Sequence, residues 1–159
     1  MTANTERLRD WLREHRGLDL ADYEALRAWS VREVPAFWQA IWDYFWLESP
    51  TPYIVLADAR MPGARWFEGA QINYASQVLR HAGAADAAGA PAVVFRNERL
   101  QREGRSETIT WAELGDAAAR LAGTLRRCGV QRGDRVAAYL PNTPHALIGL
   151  LACASLGAV

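Results

Sequence analysis

A proline, an asparagine and a threonine stand together at residues 141–143, directly after the apolar run 135–140. The run has the length and composition of a buried parallel strand, and ligands of open α/β sheets bind beyond the carboxyl ends of such strands. Pro141, Asn142 and Thr143 are therefore candidates for an active-site loop. The plainer interpretation, which we favour, is that Pro141 and Asn142 turn the chain and Thr143 caps the next helix.

Trp66, Asn73 and Tyr74 are further candidates for an active-site wall. The simpler interpretation is that they pack between the N-terminal region and the body that follows it. We therefore list them as site residues without assigning any of them a chemical step.

The chain lacks the residues that usually handle phosphates and metals. All eighteen cationic side chains are arginine, and neither G-x-x-x-x-G-K-[ST] nor G-x-G-x-x-G occurs. The histidines and cysteines are scattered and show no metal-ligand spacing. We therefore predict no catalytic, cofactor-binding or metal-ligating residue, and we expect both cysteines to be reduced and buried (His15, His81, His145, Cys128, Cys153).

Charge and hydropathy exclude two classes of partner. The formal net charge is zero, and arginines alternate with acidic residues, so we predict no nucleic-acid binding. The first ten residues lack the layout of a signal peptide. The weakly polar end contains His145 and is shorter than the roughly 20 residues of a membrane span. We therefore predict a cytoplasmic protein with no membrane partner.

The elements that would position these residues begin with helices over 5–16, 19–31 and 35–49. Gly17 is predicted to end the first helix, and Asp19 or Asp22 to cap the second. The third helix carries an aromatic stripe at helical spacing (Phe37, Trp38, Ile41, Trp42, Phe45, Trp46). Its opposite face is neutral or acidic, which argues against a membrane anchor, and no basic groove supports a base-stacking role. We interpret the stripe as the surface that docks a helical cap onto a larger body.

The composition changes near residue 88. Residues 49–81 are predicted to be an irregular crossing with a short helix from about 74, and the small-residue segment 81–91 is predicted to be a loop. A strand over 91–100 and a second over 108–110 would form a hairpin. The predicted domains are 1–88 and 89–159.

The second region then alternates helix and strand. Thr110 and Glu113 form a capping-box pattern, and Gly129 suits the end of that helix. A strand over 135–140 and an apolar helix from Pro144 follow. Alternation of this kind predicts an α/β fold with a doubly wound sheet. Because the last helix is apolar nearly all round, we expect a further strand after Gly157, and we interpret the chain as a fragment.

Four segments in order resemble the adenylate-forming acyl-CoA synthetases. They are ITWAEL (109–114), GVQRGDRVA (129–137), YLPNTPHAL (139–147) and LACASLGAV (151–159). YEALRAWSVREVPAFWQAIWDYF (23–45) and RWFEGAQINYASQVLRH (65–81) resemble the N-terminal region of the acetyl- and acetoacetyl-CoA synthetases. The Asn-Tyr-Ala triplet at 73–75 and the FW-x-x-x-W-D-Y-F pattern favour the acetoacetate branch, although Glu68 and Ser76 depart from the family pattern.

The resemblance implies a helical cap region over 1–88 and the incomplete start of an AMP-binding domain over 89–159. The whole enzyme would convert acetoacetate, ATP and coenzyme A, with Mg²⁺, into acetoacetyl-CoA through an acyl-adenylate. The family's phosphate loop and catalytic lysine would lie beyond Val159, so the fragment alone is expected to be inactive and to bind these cofactors poorly. The alternatives are a ligase for acetate, propionate or another short acid, and a non-catalytic module that binds a partner through residues 37–46.

Overall fold

The computed structural model describes residues 3–159, and the chain divides into two compact units, Met1–Ile72 and Asn73–Val159. Unit 1 contains helices α1 (Asn4–Arg16), α2 (Tyr23–Arg32) and α3 (Val34–Tyr44) and strands β1 (Ile54–Asp58) and β2 (Arg65–Glu68). Unit 2 contains α4 (Tyr74–Leu79), α5 (Ala82–Ala87), β3 (Val93–Phe95), α6 (Glu98–Arg102), β4 (Glu107–Ile109), α7 (Trp111–Arg127) and α8 (Pro144–Ser155). None of the helices within 3–159 is long and apolar enough to cross a membrane.

The core of unit 1 forms where α1, α2 and α3 bring apolar side chains together. Leu12 is fully buried, and Leu26 and Trp29 are nearly so. The Asp22 carboxylate accepts a 2.8 Å hydrogen bond from the backbone N–H of Ala25 and caps α2 as predicted. Gly17 adopts a left-handed conformation and ends α1, again as predicted.

The aromatic stripe packs against the strands of unit 1 through only some of its rings. Trp42 is buried and stacks on Phe67 with 4.7 Å between ring centroids. Trp38 lies edge-on to Trp66 at 5.9 Å. The helix ends at Tyr44, earlier than predicted, and the last two rings of the stripe are largely exposed in this chain. The stripe therefore fastens α3 to the β1–β2 pair.

The β1–β2 pair occupies the stretch that was predicted to be irregular. The two strands are antiparallel, with Ile54 opposite Glu68 and Leu56 opposite Trp66. The prolines of this stretch flank the strands and leave their hydrogen-bonded residues free to pair. The prediction of irregular structure was wrong here because proline and glycine were taken as signs of an irregular, extended chain along the whole stretch, whereas the predicted short helix from about 74 is confirmed as α4.

The core of unit 2 joins α4, α7 and α8. Leu151 is fully buried and packs with Leu114, Ala118 and Ala75. The predicted hairpin is confirmed, since β3 and β4 pair in antiparallel register. Its first strand is shorter than predicted, because the Asn97 side chain accepts a hydrogen bond from Leu100 N–H and starts α6.

The small-residue segment 81–91 contains a helix where a loop was predicted. Six of the eleven residues 81–91 are alanine, and alanine has the highest helix propensity. The resulting α5 presents Asp86 to the start of α7. There the two carboxylate oxygens accept hydrogen bonds from Trp111 N–H at 2.9 Å and Ala112 N–H at 2.8 Å. Asp86 thus satisfies two N–H groups that a helix leaves unpaired.

Asp86→Ala is expected to lower the free energy of unfolding of unit 2 by about 1–2 kcal/mol, the usual range for a lost helix cap. Asp86→Asn keeps one acceptor oxygen and should lose about half as much. Asp116→Ala, an exposed change on α7, is the matched control. Urea unfolding followed by circular dichroism measures all three, and equal stabilities of the Asp86 and Asp116 variants would contradict the capping role.

The capping box at the start of α7 is confirmed. The Thr110 hydroxyl accepts from Glu113 N–H at 3.2 Å, and the Glu113 carboxylate accepts from Thr110 N–H at 2.9 Å. The hydrogen bonds from the backbone and hydroxyl of Thr110 lower the pKa of Glu113 below its ordinary value of 4.5. At the other end of α7, Gly129 has a positive φ and ends the helix as predicted, and Val130 N–H bonds to Leu125 O.

The lowered pKa of Glu113 predicts an acid-dependent stability. The carboxylate is favoured in the folded state, so its contribution is present above pH 4.5 and is lost as the pH falls through the lower pKa of the folded protein. Glu113→Gln cannot titrate, and its free energy of unfolding should fall less between about pH 6 and about pH 3. Identical pH dependences of the variant and the parent chain would contradict this assignment.

Residues 135–140 were predicted to form a buried strand, and this prediction is wrong as to their burial. Tyr139 is fully exposed and Leu140 is 49% exposed. At the start of this segment, Val136 N–H bonds to Val159 O at 2.7 Å, and Val159 N–H bonds to Asp134 O at 2.8 Å. These two bonds have the pattern of a parallel pair. A helix, α8, therefore connects two backbone segments that run side by side in the same direction.

Candidate functional site

Asn142 and Thr143, in the loop 141–143, line a cleft beside β3, whereas Pro141 does not line it. The cleft has a volume of about 330 Å³. One side is formed by β3 and the residue after it, and the other by the loop and the first turn of α8 (Val93, Val94, Phe95, Arg96, Asn142, Thr143, Pro144, Ala146, Leu147). Residues 135–140, the predicted strand before the loop, do not line this cleft.

Thr143 stands at the N-cap position of α8, but its side chain forms no capping hydrogen bond. Its hydroxyl oxygen lies 3.4 Å from Nδ1 of His145, and the backbone carbonyl of Thr143 accepts from Ala146 N–H. The predicted capping role is therefore wrong for the hydroxyl. Thr143 is also one of the residues that line the cleft.

The cleft is suited to contact with a ligand and carries no acid–base pair or nucleophile of its own. Most lining residues are apolar, and the lining residues with polar side chains are Arg96, Asn142 and Thr143. A guanidinium donates hydrogen bonds, whereas an amide and a hydroxyl both donate and accept. The arrangement can orient a polar group of a ligand but performs no bond-making step alone.

Asn73 fastens α4 to the far end of α8. Its Oδ1 accepts from Ser76 N–H at 3.1 Å and caps α4, while its Nδ2 donates to Ala154 O at 2.8 Å. A helix of 12 residues such as α8 is about 18 Å long. Asn73 therefore lies at the opposite end of α8 from the loop, and the structure does not bring the two together.

Tyr74 and Trp66 contribute exposed aromatic surface in separate units. Tyr74 follows Asn73 and is 60% exposed. Trp66 lies on β2 in unit 1, is 41% exposed, and packs against Trp38. A place for either residue in an active-site wall stays a prediction.

The cysteines and acidic residues form no further chemical centre in the part of the chain that the structure describes. Cys128 is exposed, so its predicted burial is wrong, and Cys153 is half-buried; both are free thiols. Cys128 is exposed because it follows the last turn of α7, where Gly129 redirects the chain. No group of three or more His, Cys, Asp or Glu side chains within 3–159 is placed to hold a metal ion.

Both halves of the chain match known protein families. Residues 79–159 match the sequence profile of a family described as AMP-binding enzyme, and residues 23–78 match one described as acetyl-coenzyme A synthetase N-terminus. Together the two profiles cover the chain from Tyr23 onward, the same range over which the sequence motifs showed their resemblance.

Relatives and a solved structure match along most of the chain. It is 40% identical to an acetoacetyl-coenzyme A synthetase of Rhizobium meliloti, over 94% of this chain and 22% of that protein. It is 36% identical to an acetoacetyl-CoA synthetase of Rattus norvegicus, over 90% of this chain and 21% of that protein. The structure of acetoacetyl-CoA synthetase from Streptomyces lividans matches with a TM-score of 0.83 and 44% identity, over 96% of this chain and 23% of that one. The chain spans about a fifth of the length of the relatives it matches.

Proposed function

The chain belongs to the AMP-binding enzyme family, and on that premise we propose that it forms the N-terminal part of an acetoacetate–CoA ligase. The observation that carries the proposal is the 40% and 36% identity to acetoacetyl-CoA synthetases along at least 90% of the chain. The match of the fold to the Streptomyces lividans enzyme supports the same branch of the family.

The proposed reaction of the whole protein has two steps. A carboxylate oxygen of acetoacetate attacks the α-phosphate of ATP, which forms the acyl-adenylate and releases pyrophosphate. The sulfur of coenzyme A then attacks the acyl carbonyl, loses its proton and displaces AMP. These steps need cationic groups near the phosphates, and the described residues offer no lysine.

The Mg²⁺ that such a reaction would use does not fit the residues present here. No acidic or histidine cluster suitable for a metal occurs among the described residues, so no step is assigned to a metal held by this chain. The proposed contribution of the chain is structural and orienting. Unit 2 supplies the loop of Pro141, Asn142 and Thr143 as one wall of the site. The proposed domains are 1–88 and 89–159, so the proposed cap region comprises unit 1 together with α4 and α5.

A chimera tests this proposal. Residues 1–159 replace the matching region of the Rhizobium meliloti synthetase, and acetoacetyl-CoA and AMP are measured with acetoacetate, ATP and coenzyme A. We expect the chimera to keep at least about a tenth of the parent kcat/KM, which is a loss of at most about 1.4 kcal/mol in transition-state stabilisation. The chain alone should form neither product. A folded chimera with no acetoacetate-dependent AMP release would contradict the proposal.

The loop is tested in the same chimera. If Asn142 lines the site, Asn142→Ala should lower kcat/KM by about tenfold, the usual effect of one lost hydrogen bond to a ligand. Asn97→Ala, which removes the cap of α6, is the control for a change in stability alone. Equal activities of the two variants at matched stability would contradict an active-site position for the loop.

Two alternatives remain, and each has its own outcome. If the chain comes from a ligase for acetate, propionate or another short acid, it should keep a larger fraction of the parent kcat/KM when it is joined to the remainder of an acetyl-CoA synthetase. If the chain is a non-catalytic module that binds a partner through residues 37–46, it should be monodisperse alone. Its chimeras with the remainder of either synthetase should then be inactive.

A further inference from the structure

Asn73 uses both ends of its side-chain amide. Its Oδ1 accepts from Ser76 N–H at 3.1 Å and caps α4, and its Nδ2 donates to the carbonyl oxygen of Ala154 at 2.8 Å. An aspartate would cap α4 equally well, but an ionised carboxylate has no hydrogen to donate. The choice of asparagine at this position is therefore explained by the bond to Ala154 rather than by the cap.

The carbonyl of Ala154 does not need Asn73 to satisfy it. Ala154 O already accepts from Gly157 N–H at 2.9 Å, at the end of a helix where carbonyls otherwise lack partners. Loss of the amide N–H thus leaves no carbonyl unpaired. What is lost is a tether between the start of α4 and the last turn of α8, which lie 81 positions apart along the chain.

The turn after α8 places Val159 beside residues 134–136. Three residues separate the end of α8 from Val159, and in this turn Gly157 O accepts from Gly133 N–H at 2.9 Å. The two backbone bonds between Val159 and residues 134–136 follow directly. A shift of the last turn of α8 would therefore be passed on to this pairing.

The loop 141–143 lies between the same elements. Residues 135–140 lead from the pairing with Val159 to the loop, and an extended segment has a nearly fixed rise of about 3.3 Å per residue. On the other side of the loop, Pro144 begins α8. Both ends of the loop thus depend on the position of α8 and of the turn that follows it.

We propose that Asn73 is a positioning residue for the reaction: by holding Ala154 it fixes α8 along its axis, and with it the loop that carries Asn142 and Thr143. This inference rests on the function proposed above. The core around Leu151 holds α8 by apolar contacts, which are non-directional, whereas a hydrogen bond has a preferred distance and angle. The amide supplies the direction that the core lacks.

Hydrogen exchange of the whole chain tests the first step. Asn73→Asp keeps the oxygen that caps α4 and removes the donor. Asn97→Asp is the matched control, because Asn97 caps α6 in the same way and its Nδ2 donates no hydrogen bond within residues 3–159. The N–H groups of Gly133 and Val136 should exchange at least about fivefold faster in Asn73→Asp alone. Parent rates in both variants would overturn the proposal.

The acetoacetate chimera tests the second step, at a temperature where every variant is folded. Asn73→Asp should lower kcat about tenfold and change the KM for acetoacetate less than about twofold, because misplacement far from the reacting atoms costs rate rather than binding. Asn73→Ser also offers a capping oxygen, lacks the amide and adds no charge, so it should lower kcat similarly. Asn97→Asp should match the parent chimera.

The outcomes separate this inference from the function on which it rests. If the parent chimera is active and the Asn73 and Asn97 variants have equal kcat, the positioning role is overturned and the proposed function stands. If the parent chimera is itself inactive while folded, the proposed function is overturned, and the role of Asn73 in the reaction with it.

Discussion

Replacing Gly69 with alanine should destabilise unit 1 by about 2–4 kcal/mol, through backbone strain together with a steric clash. Gly69 has a φ of +95°, a region that residues with a Cβ rarely adopt. A Cβ placed there would lie 2.6 Å from the carbonyl oxygen of Pro52. That oxygen belongs to the backbone before β1, and the Thr51 hydroxyl bonds to Gly69 O, so neither segment can move alone.

Gly63→Ala is the matched control for the Gly69 variant. Gly63 has a similar φ of +99°, but no atom lies within 4 Å of the Cβ position, so only the conformational cost of about 1 kcal/mol applies. Six of the seven tryptophans lie in unit 1, so urea unfolding followed by tryptophan fluorescence reports on this unit. Equal stabilities of the two variants would show that the contact with Pro52 is unimportant.

Leu151→Ala should destabilise unit 2 by about 3–5 kcal/mol, the range for a fully buried leucine whose site cannot collapse. Leu151 is 0% exposed and packs with Leu114 and Ala118 of α7 and with Ala75 of α4. The three helices meet at this side chain. A cavity there removes contacts from all of them at once.

Leu150→Ala makes the same chemical change at the neighbouring position. Leu150 is 55% exposed, so its loss should cost less than about 1 kcal/mol. Hydrogen exchange of the α7 and α8 amides measures both variants, and protection should fall sharply only for Leu151→Ala. A similar loss of protection in both variants would contradict the position of Leu151 at the centre of the core.

The parts of the fold that depend on neighbouring residues were predictable. Asp22 and the Thr110–Glu113 pair cap their helices as expected, because each bonds to N–H groups within three residues. Gly17 and Gly129 end helices for an equally local reason, since only glycine adopts the left-handed conformation at little cost.

The parts that depend on distant residues were not predictable. Asp86 bonds to the start of α7 from 25 residues away, and its alanine-rich surroundings resemble a linker. The β1–β2 pair was missed because each strand is short and gains its stability from the other and from Trp42 of α3. The burial expected for residues 135–140 assumed partner strands on both sides, which a pattern of apolar residues cannot specify.

The same distinction holds for the candidate site. That a loop follows residues 135–140 could be predicted from their order in the chain. The position of Asn142 and Thr143 across a cleft from β3 could not, because β3 lies far earlier in the sequence. The bond from Asn73 to Ala154 joins residues 81 positions apart, so sequence spacing gave no sign that Asn73 lies at the other end of α8. The Thr143 hydroxyl was assigned to the cap from its residue type and its position before Pro144, but it forms no capping hydrogen bond and lies 3.4 Å from Nδ1 of His145.

The most direct test of the proposed function compares two chimeras. Residues 1–159 are joined to the remainder of the Rhizobium meliloti acetoacetyl-coenzyme A synthetase and, separately, to the remainder of an acetyl-CoA synthetase. Each chimera is assayed with the acid of its parent enzyme, and its kcat/KM is divided by that of the parent. The acetoacetate chimera should keep at least about a tenth of the parent value, and the acetate chimera should lose at least about 100-fold. The reverse order would contradict the assignment to the acetoacetate branch.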